Sequence, residues 1–173
     1  MAGKQTPATR AAASAGISFT LHEYAHDPGT DSYALEAASA LSLDADRVFK
    51  TLVVTADKGL IVCLIPAAAS LVLRSLGKHA ALAPVARAES VTGYVAGGIS
   101  PLGQRRRLPT FIDEAALRFD TVFVSAGRRG LELELEPQDL VTATGATVRR
   151  LRRDPGGDAE THGRFPSGHP HQP

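Results

Sequence analysis

The chain has 173 residues, a formal net charge of +1 and 43% hydrophobic residues, which fits one domain around one sizeable core. Near-neutrality excludes a protein that coats nucleic acid through bulk charge, and a single cysteine excludes an internal disulfide. Met1–Ala2–Gly3–Lys4–Gln5 opens no signal peptide and no apolar run approaches membrane-spanning length, so the expected compartment is the cytosol, with no membrane partner.

In chain order, Thr6–Pro7 reads as an N-cap followed by proline at the first helical position, and Gly16 closes that alanine-rich helix. Ile17, Phe19 and Leu21 alternate with Ser18, Thr20 and His22, the period-two pattern of a half-buried strand. Asp27–Pro28–Gly29–Thr30–Asp31–Ser32 is a turn ending in candidate caps, and a short helix follows with Leu35, Ala38 and Leu41 on one face. Val48 to Thr55 and Leu60 to Ile65 predict two strands joined through Asp57–Lys58–Gly59 as a hairpin. Residues 70–92 read as helix and connection, broken by Gly77 and Pro84.

Gly93 to Pro109 is a glycine-rich loop, Thr110–Phe111–Ile112–Asp113 opens a short strand, and Thr121 to Ser125 is another. Leu131, Leu133 and Leu135 alternate with Glu132, Glu134 and Glu136, one face in and one out, and Gln138 to Thr144 is helical between Pro137 and Gly145. The order is too irregular for repeated βαβ units. The expectation is an α/β fold of the mixed α+β kind: a single domain over 1–153, its mixed sheet curled partly toward a barrel and surrounded by helices. From Asp154 the residues lack periodicity, so 154–173 reads as a disordered C-terminal tail.

Three features could carry chemistry. Lys50 interrupts the apolar run Val48–Phe49–Lys50–Thr51–Leu52–Val53–Val54 in a chain with four lysines and fifteen arginines. A compact ammonium there can point three donors at a small group, and burial can depress its pKa; the alternative is a strand lysine reaching water along its stem. Gly97–Gly98–Ile99–Ser100–Pro101–Leu102–Gly103–Gln104 lets backbone N–H groups approach a ligand, but its spacing is neither a P-loop nor a dinucleotide fingerprint. Ser125 runs into Ala126–Gly127–Arg128–Arg129–Gly130 without a nucleophile-elbow pattern, so a serine triad is not expected. Cys63 lies in an apolar run and reads as a buried, inert thiol. No His, Cys or carboxylate cluster has metal-ligand spacing, so no metal is expected. Arg105, Arg106 and Arg107, with Arg128 and Arg129, make a locally basic face that suits a polyanion touched at one place; scattered solvated arginines would read the same way.

Five segments in order carry a resemblance: Tyr24–Ala25–His26–Asp27–Pro28, Val48–Phe49–Lys50–Thr51–Leu52, Thr92 through Gln104, Arg107–Leu108–Pro109–Thr110, and Val124 through Leu131. Together they resemble the YbaK/EbsC group of aminoacyl-tRNA deacylases, relatives of the editing domain inserted in many bacterial prolyl-tRNA synthetases. The resemblance implies a mixed α/β fold without metal or cofactor, and removal of wrongly attached amino acids from tRNA, Cys-tRNA(Pro) foremost and Cys-tRNA(Cys) besides. It implies that Lys50 is the essential lysine and that Tyr24, Tyr33, Thr51, Gly97, Gly98, Ser125 and Glu132 meet the substrate. Gly97 and Gly98 would serve the acyl carbonyl and Ser125 the terminal adenosine. Glu132 stands where the family pattern has aspartate, and Tyr33 where it more often has phenylalanine. The implied partner is the acceptor end of aminoacyl-tRNA, touched by Arg105–Arg107 and Arg128–Arg129, with prolyl-tRNA synthetase as a candidate protein partner.

A synthetase pocket shaped for proline discriminates against a similarly small amino acid by only about 10–200-fold, so a second site must destroy the wrong product. In the YbaK branch the substrate's own thiol is thought to attack the ester. The rival readings are a deacylase for Ala-tRNA(Pro) or another small aminoacyl-tRNA using activated water, and a binding module without turnover.

Overall fold

The computed structural model describes residues 4–30 and 32–155. Helix α1 (Pro7–Ser14) starts at a reciprocal capping box: the Thr9 amide donates to Thr6 Oγ1 at 3.1 Å, and the Thr6 amide to Thr9 Oγ1 at 2.9 Å. Strand β1 (Phe19–Glu23) follows, then α2 (Tyr33–Ala40), and the long hairpin of β2 (Phe49–Ala56) and β3 (Gly59–Pro66). Next come β4 (Ser70–Leu71), β5 (Ala81–Leu82), α3 (Val85–Thr92), β6 (Thr110–Asp113), β7 (Val122–Arg128), β8 (Leu131–Leu135), α4 (Pro137–Thr144), β9 (Thr147–Arg149) and β10 (Arg152–Arg153).

The strands form three sheets. One is five-stranded in the order β5-β2-β3-β6-β9, antiparallel from β5 to β3 and parallel from β3 to β9. A second is antiparallel in the order β1-β8-β7, and β10 pairs with β4. The two larger sheets meet through a parallel bridge between Val48 and Phe123. This is the mixed α+β arrangement that the pattern of elements predicts, with the curled sheet resolved into separate pieces. The main core lies between these sheets. Leu131, Leu133 and Leu135 of β8 and Val122 and Val124 of β7 pack with Phe49, Leu64 and Ile112, closed by Ala8 and Ala12 of α1 and Leu140 of α4.

Two expectations need correction. Residues 70–92 are helical as α-helix only from Val85; before that come β4, a 3-10 turn over Leu73–Leu76, and β5. Gly77 and Pro84 cut the stretch into pieces too short to show a period. Helix α2 does not bury Leu35, which is 39% exposed, but Ala37 and Ala38. Those alanines let α2 lie close against Val48, Ala67 and Phe123. The tail expected over 154–173 lies outside the described residues except for Asp154 and Pro155, and Asp154 accepts from Arg152 Nε at 3.0 Å.

A buried carboxylate fastens the C-terminal end of the chain. Asp113, wholly buried at the end of β6, accepts from the amides of Ala115 (2.9 Å), Leu151 (2.8 Å) and Arg152 (3.0 Å), and from Arg152 Nη1 (2.6 Å). Removing one member strands the other charge without water, which typically costs about 3–5 kcal/mol. Asp113→Ala is therefore expected to lower the urea midpoint sharply, with Asp113→Asn, which keeps one acceptor in place, losing less. Equal, small losses in the two variants would show that this carboxylate does not hold the C-terminal strands.

Candidate functional site

Strand β2 is paired with β3 along its whole length, from Phe49 opposite Pro66 to Ala56 opposite Gly59. Its other edge meets β7 at the bridge next to its start and β5 only at its far end, where Val54 faces Leu82 and the Ala83 amide donates to the Val53 carbonyl at 2.9 Å. Between these contacts a cavity of about 270 Å³ opens, lined by the consecutive residues Phe49, Lys50, Thr51 and Leu52. Tyr33 of α2, Gly97 and Ile99 of the glycine loop, Ser125 of β7 and Glu132 of β8 close the remaining sides. Ser125 and Glu132 are register partners, so they enter the cavity side by side.

Six of the eight residues expected at a substrate site therefore line one cavity: Lys50, Tyr33, Thr51, Gly97, Ser125 and Glu132. Tyr24 does not; it lines a shallower depression with Glu23 and Arg128, although burial, with Glu132 adding to it, pushes its phenol up to about 12. Gly98 is also absent from the lining. A Cβ there would come within 2.7 Å of the Arg128 Cα, so this glycine allows the loop to pack on the β7–β8 turn, and its amide already donates to Val95 at 2.9 Å. Phe49, Leu52 and Ile99 supply apolar walls that sequence reasoning did not assign to the site. In sequence they look like ordinary core positions, and nothing local marks them.

The glycine loop is a built structure. Ala96 donates its amide to Glu89 Oε2 at 2.8 Å, and the buried Tyr94 hydroxyl donates to the Leu102 carbonyl. Gly97 has φ of 85°, and a Cβ on it would stand 2.7 Å from the Tyr33 ring, so only glycine lets tyrosine lie flat on the loop. The guanidinium of Arg129 covers the same ring at 4.9 Å and donates through Nε to the Ala96 carbonyl at 2.8 Å. Arg129, expected at the polyanion surface, thus also fixes a wall of the cavity. Arg128 reaches Glu23 at 3.3 Å, whereas Arg105, Arg106 and Arg107 stand exposed beside the loop.

Lys50 is half-buried. Its Nζ donates to the Ala67 carbonyl at 3.1 Å, and burial lowers its pKa. One donor on Ala67 leaves two for the cavity. Cys63 is fully buried in β3, and burial pushes its thiol up to about 12, so it has no thiolate to offer. Ser125 Oγ accepts from the Gly127 amide at 3.2 Å, and no histidine lines the cavity. Among the described residues no group of three or more His, Cys, Asp or Glu is placed to hold a metal ion.

Glu132 departs from its expected place on a solvent face. It is only 6% exposed, and its Oε2 has no hydrogen-bond partner, nor does Thr51 Oγ1. Glu134, two residues on, does reach a wet network with Thr121, His22 and Arg47. Burial pushes the Glu132 carboxyl up to about 8 from an ordinary value of 4.5, so it is mostly protonated near neutral pH. Since the folded state holds this proton more tightly than the unfolded one, stability is greatest below about 4.5, falls as pH rises through about 8, and is then flat. The expected slope in that window is at most about 1.4 kcal/mol per pH unit. Glu132→Gln should flatten it, as read by urea midpoints across pH; an unchanged slope would mean that the carboxyl ionises normally.

Comparison with known proteins bears on this cavity. The description of the aminoacyl-tRNA editing domain matches residues 27–143. A protein of Enterococcus faecalis named "Putative Cys-tRNA(Pro)/Cys-tRNA(Cys) deacylase EbsC" is 36% identical over 117 residues, covering 64% of this chain and 71% of that one. A crystal structure described as "a putative trans-editing enzyme for prolyl tRNA synthetase" superposes with a TM-score of 0.74 at 26% identity, covering 86% of this chain and 99% of that one. Another, of "hypothetical protein APE2540", gives 0.76 at 26% identity, covering 86% and 100%. The matched span contains every residue that lines the cavity, and the chain belongs to the aminoacyl-tRNA editing domain family, in its YbaK/EbsC branch.

Proposed function

We propose that the chain is a trans-editing deacylase that clears Cys-tRNA(Pro), and Cys-tRNA(Cys) besides, by cleaving the aminoacyl ester with help from the substrate's own thiol. The observation that carries the reading is Lys50: a half-buried ammonium held at one donor by Ala67, beside a glycine loop, in a cavity sized for a small acyl group. The E. faecalis relative's name and the solved trans-editing neighbour support the substrate class.

In this reading Lys50 directs its remaining donors at the ester, and the Gly97 segment meets the acyl carbonyl; the Gly98 amide is already taken by Val95. The cysteinyl Sγ attacks the carbonyl carbon and the bond to the ribose oxygen breaks. That oxygen leaves with a proton, and the resulting cyclic thioester is then opened by water to free cysteine. Negative charge develops on the carbonyl oxygen in a site with little water, where a preorganised cation is worth most. Ser125 faces the terminal adenosine. This chemistry needs no protein nucleophile, in keeping with a lining that pairs no serine or cysteine with a base.

Purified protein assayed against Cys-, Ala- and Ser-tRNA(Pro) tests the reading. Lys50→Ala should fold normally yet lose about 3–4 kcal/mol of transition-state stabilisation, and Lys50→Arg should not restore it, because a broad fork cannot take the place of a compact ammonium. Ser-tRNA(Pro), nearly the same size, should be cleaved far more slowly than Cys-tRNA(Pro), since a hydroxyl is much less ionised than a thiol. Equal rates would point to activated water, and a fully active Lys50→Ala protein would remove the site from β2.

The acceptor end is proposed to lie over the exposed Arg105–Arg107 cluster. Replacing those three arginines by glutamine should raise KM and flatten the salt dependence of binding, because fewer counterions are released. Arg129 is unsuited to this test, since its loss would also unseat Tyr33. Unchanged salt dependence would place the RNA elsewhere.

A further inference from the structure

Two residues of the cavity lining, Thr51 and Glu132, each hold a buried side-chain oxygen, Oγ1 and Oε2, without a hydrogen-bond partner. Buried polar groups are rarely left so, because each orphan costs free energy comparable to a lost hydrogen bond. The Thr51 hydroxyl can accept as well as donate and the ionised Glu132 carboxylate only accepts, so a donor can complete both. Lys50 is the only cationic residue in the lining, and its ammonium is turned to the Ala67 carbonyl. A ligand with donors of its own can supply what the lining does not.

Resting on the deacylase reading above, we propose that Thr51 and Glu132 form the subsite for the α-ammonium group of the aminoacyl ester. The ammonium carries three donors and a positive charge, whereas a thiol is a weak donor and the ester carbonyl has none. A cation also answers the environment of Glu132. His22, opposite it on β1, turns its ring to Glu134; Tyr24 lies nearby as a neutral phenol; Ser125 is its neighbour on β7; Glu36 of α2 is occupied by His26. No cation of the protein forms an ion pair with Glu132 among the described residues, and burial alone accounts for the carboxyl's rise to about 8. An arriving ammonium supplies the missing charge, the carboxyl ionises against it, and its proton passes to solvent. The subsite therefore predicts that ligand binding releases a proton, and that an acyl group without a free amine is refused.

The ester's amide counterpart, 3′-deoxy-3′-(L-cysteinylamino)adenosine, keeps the ammonium and resists cleavage; its desamino partner, carrying 3-sulfanylpropanoyl, keeps the thiol and lacks the amine. Calorimetry near pH 7 in two buffers of different ionisation enthalpy counts protons. Wild-type protein should release close to one proton per cysteinyl ligand, since a carboxyl titrating at about 8 is mostly protonated there. A free α-amine titrating at about 7.7–8.0 takes up little in return. The desamino ligand should bind roughly 10- to 100-fold more weakly and release none. Glu132→Gln, of the same shape, should lose the proton release and the preference for the amine, and Thr51→Val should weaken the preference, with near-ultraviolet circular dichroism checking the fold. Equal binding of the two ligands to wild type, no proton release, or proton release that persists in Glu132→Gln would each overturn the subsite. Amine-dependent, proton-releasing binding in a protein that cleaves none of the three tRNAs would keep the subsite and sink the deacylase reading. Ready cleavage of Cys-tRNA(Pro) with indifference to the amine would do the reverse.

Discussion

β2 is satisfied along one edge and uncovered along part of the other, and the site follows from that asymmetry. The hairpin to β3 fixes β2 in place through paired backbone groups, while β7 touches it at Val48 and β5 reaches it only from Val53 onward. Four successive residues can therefore line one cavity, which no strand flanked on both edges would permit, because alternate side chains would be separated by the sheet. Successive residues of a strand point to opposite faces, and the open edge of β2 lets both Lys50 and Thr51 line one cavity.

The elements with long periods were legible from sequence, and so was the order of the site. The β2–β3 hairpin, β8 and α4 fall within a residue or two of the pattern that predicts them, because half-buried strands and capped helices write their period into the chain, whereas β7 runs three residues past its expected end, across the irregularity between Ser125 and Arg128. Strands β4, β5, β9 and β10 have two or three residues each, too few to carry any alternation. Glu132 shows a subtler limit. Leu131, Leu133 and Leu135 announce the inner face of β8, but the alternation cannot say that the other face is roofed at Glu132 and wet at Glu134. Lys50 was visible because it breaks an apolar run; Phe49 and Leu52 were not, because a pocket wall and a core position use the same residues. Gly98, which the resemblance places at the acyl carbonyl, packs closely on Arg128, a contact that no local pattern in the sequence announces.

Arginine does two different things around this cavity. Arg152 is buried against Asp113 and ties β10 to the end of β6, far from the lining residues in sequence. Arg129 stays at the surface but is committed to Tyr33 and the Ala96 carbonyl, which joins the β7–β8 turn to the glycine loop. The planar guanidinium suits both tasks: it satisfies a buried carboxylate and stacks on a ring in ways an ammonium cannot. At Lys50 a compact ammonium, not a guanidinium, lines the cavity.

Lys50 and Glu132 are the groups of the lining whose pKa burial shifts, and among the described residues they form no ion pair with each other. The ammonium is turned to Ala67, the carboxyl oxygen is unpartnered, and in each case burial shifts the pKa toward the neutral form. A direct ion pair would have stabilised both charged forms and closed the cavity. Held apart, neither group has an opposite charge to meet, and the carboxyl stays mostly protonated near neutral pH. That arrangement costs stability, which the Asp113–Arg152 contact and the leucine core of β8 are placed to offset. It also divides the cavity chemically: a cationic side on β2 suited to an oxygen that gains negative charge, and an acidic side on β8 suited to a group that is already positive. An aminoacyl ester carries those two features three bonds apart, so a cavity polarised in this way would set the direction in which such a molecule lay within it.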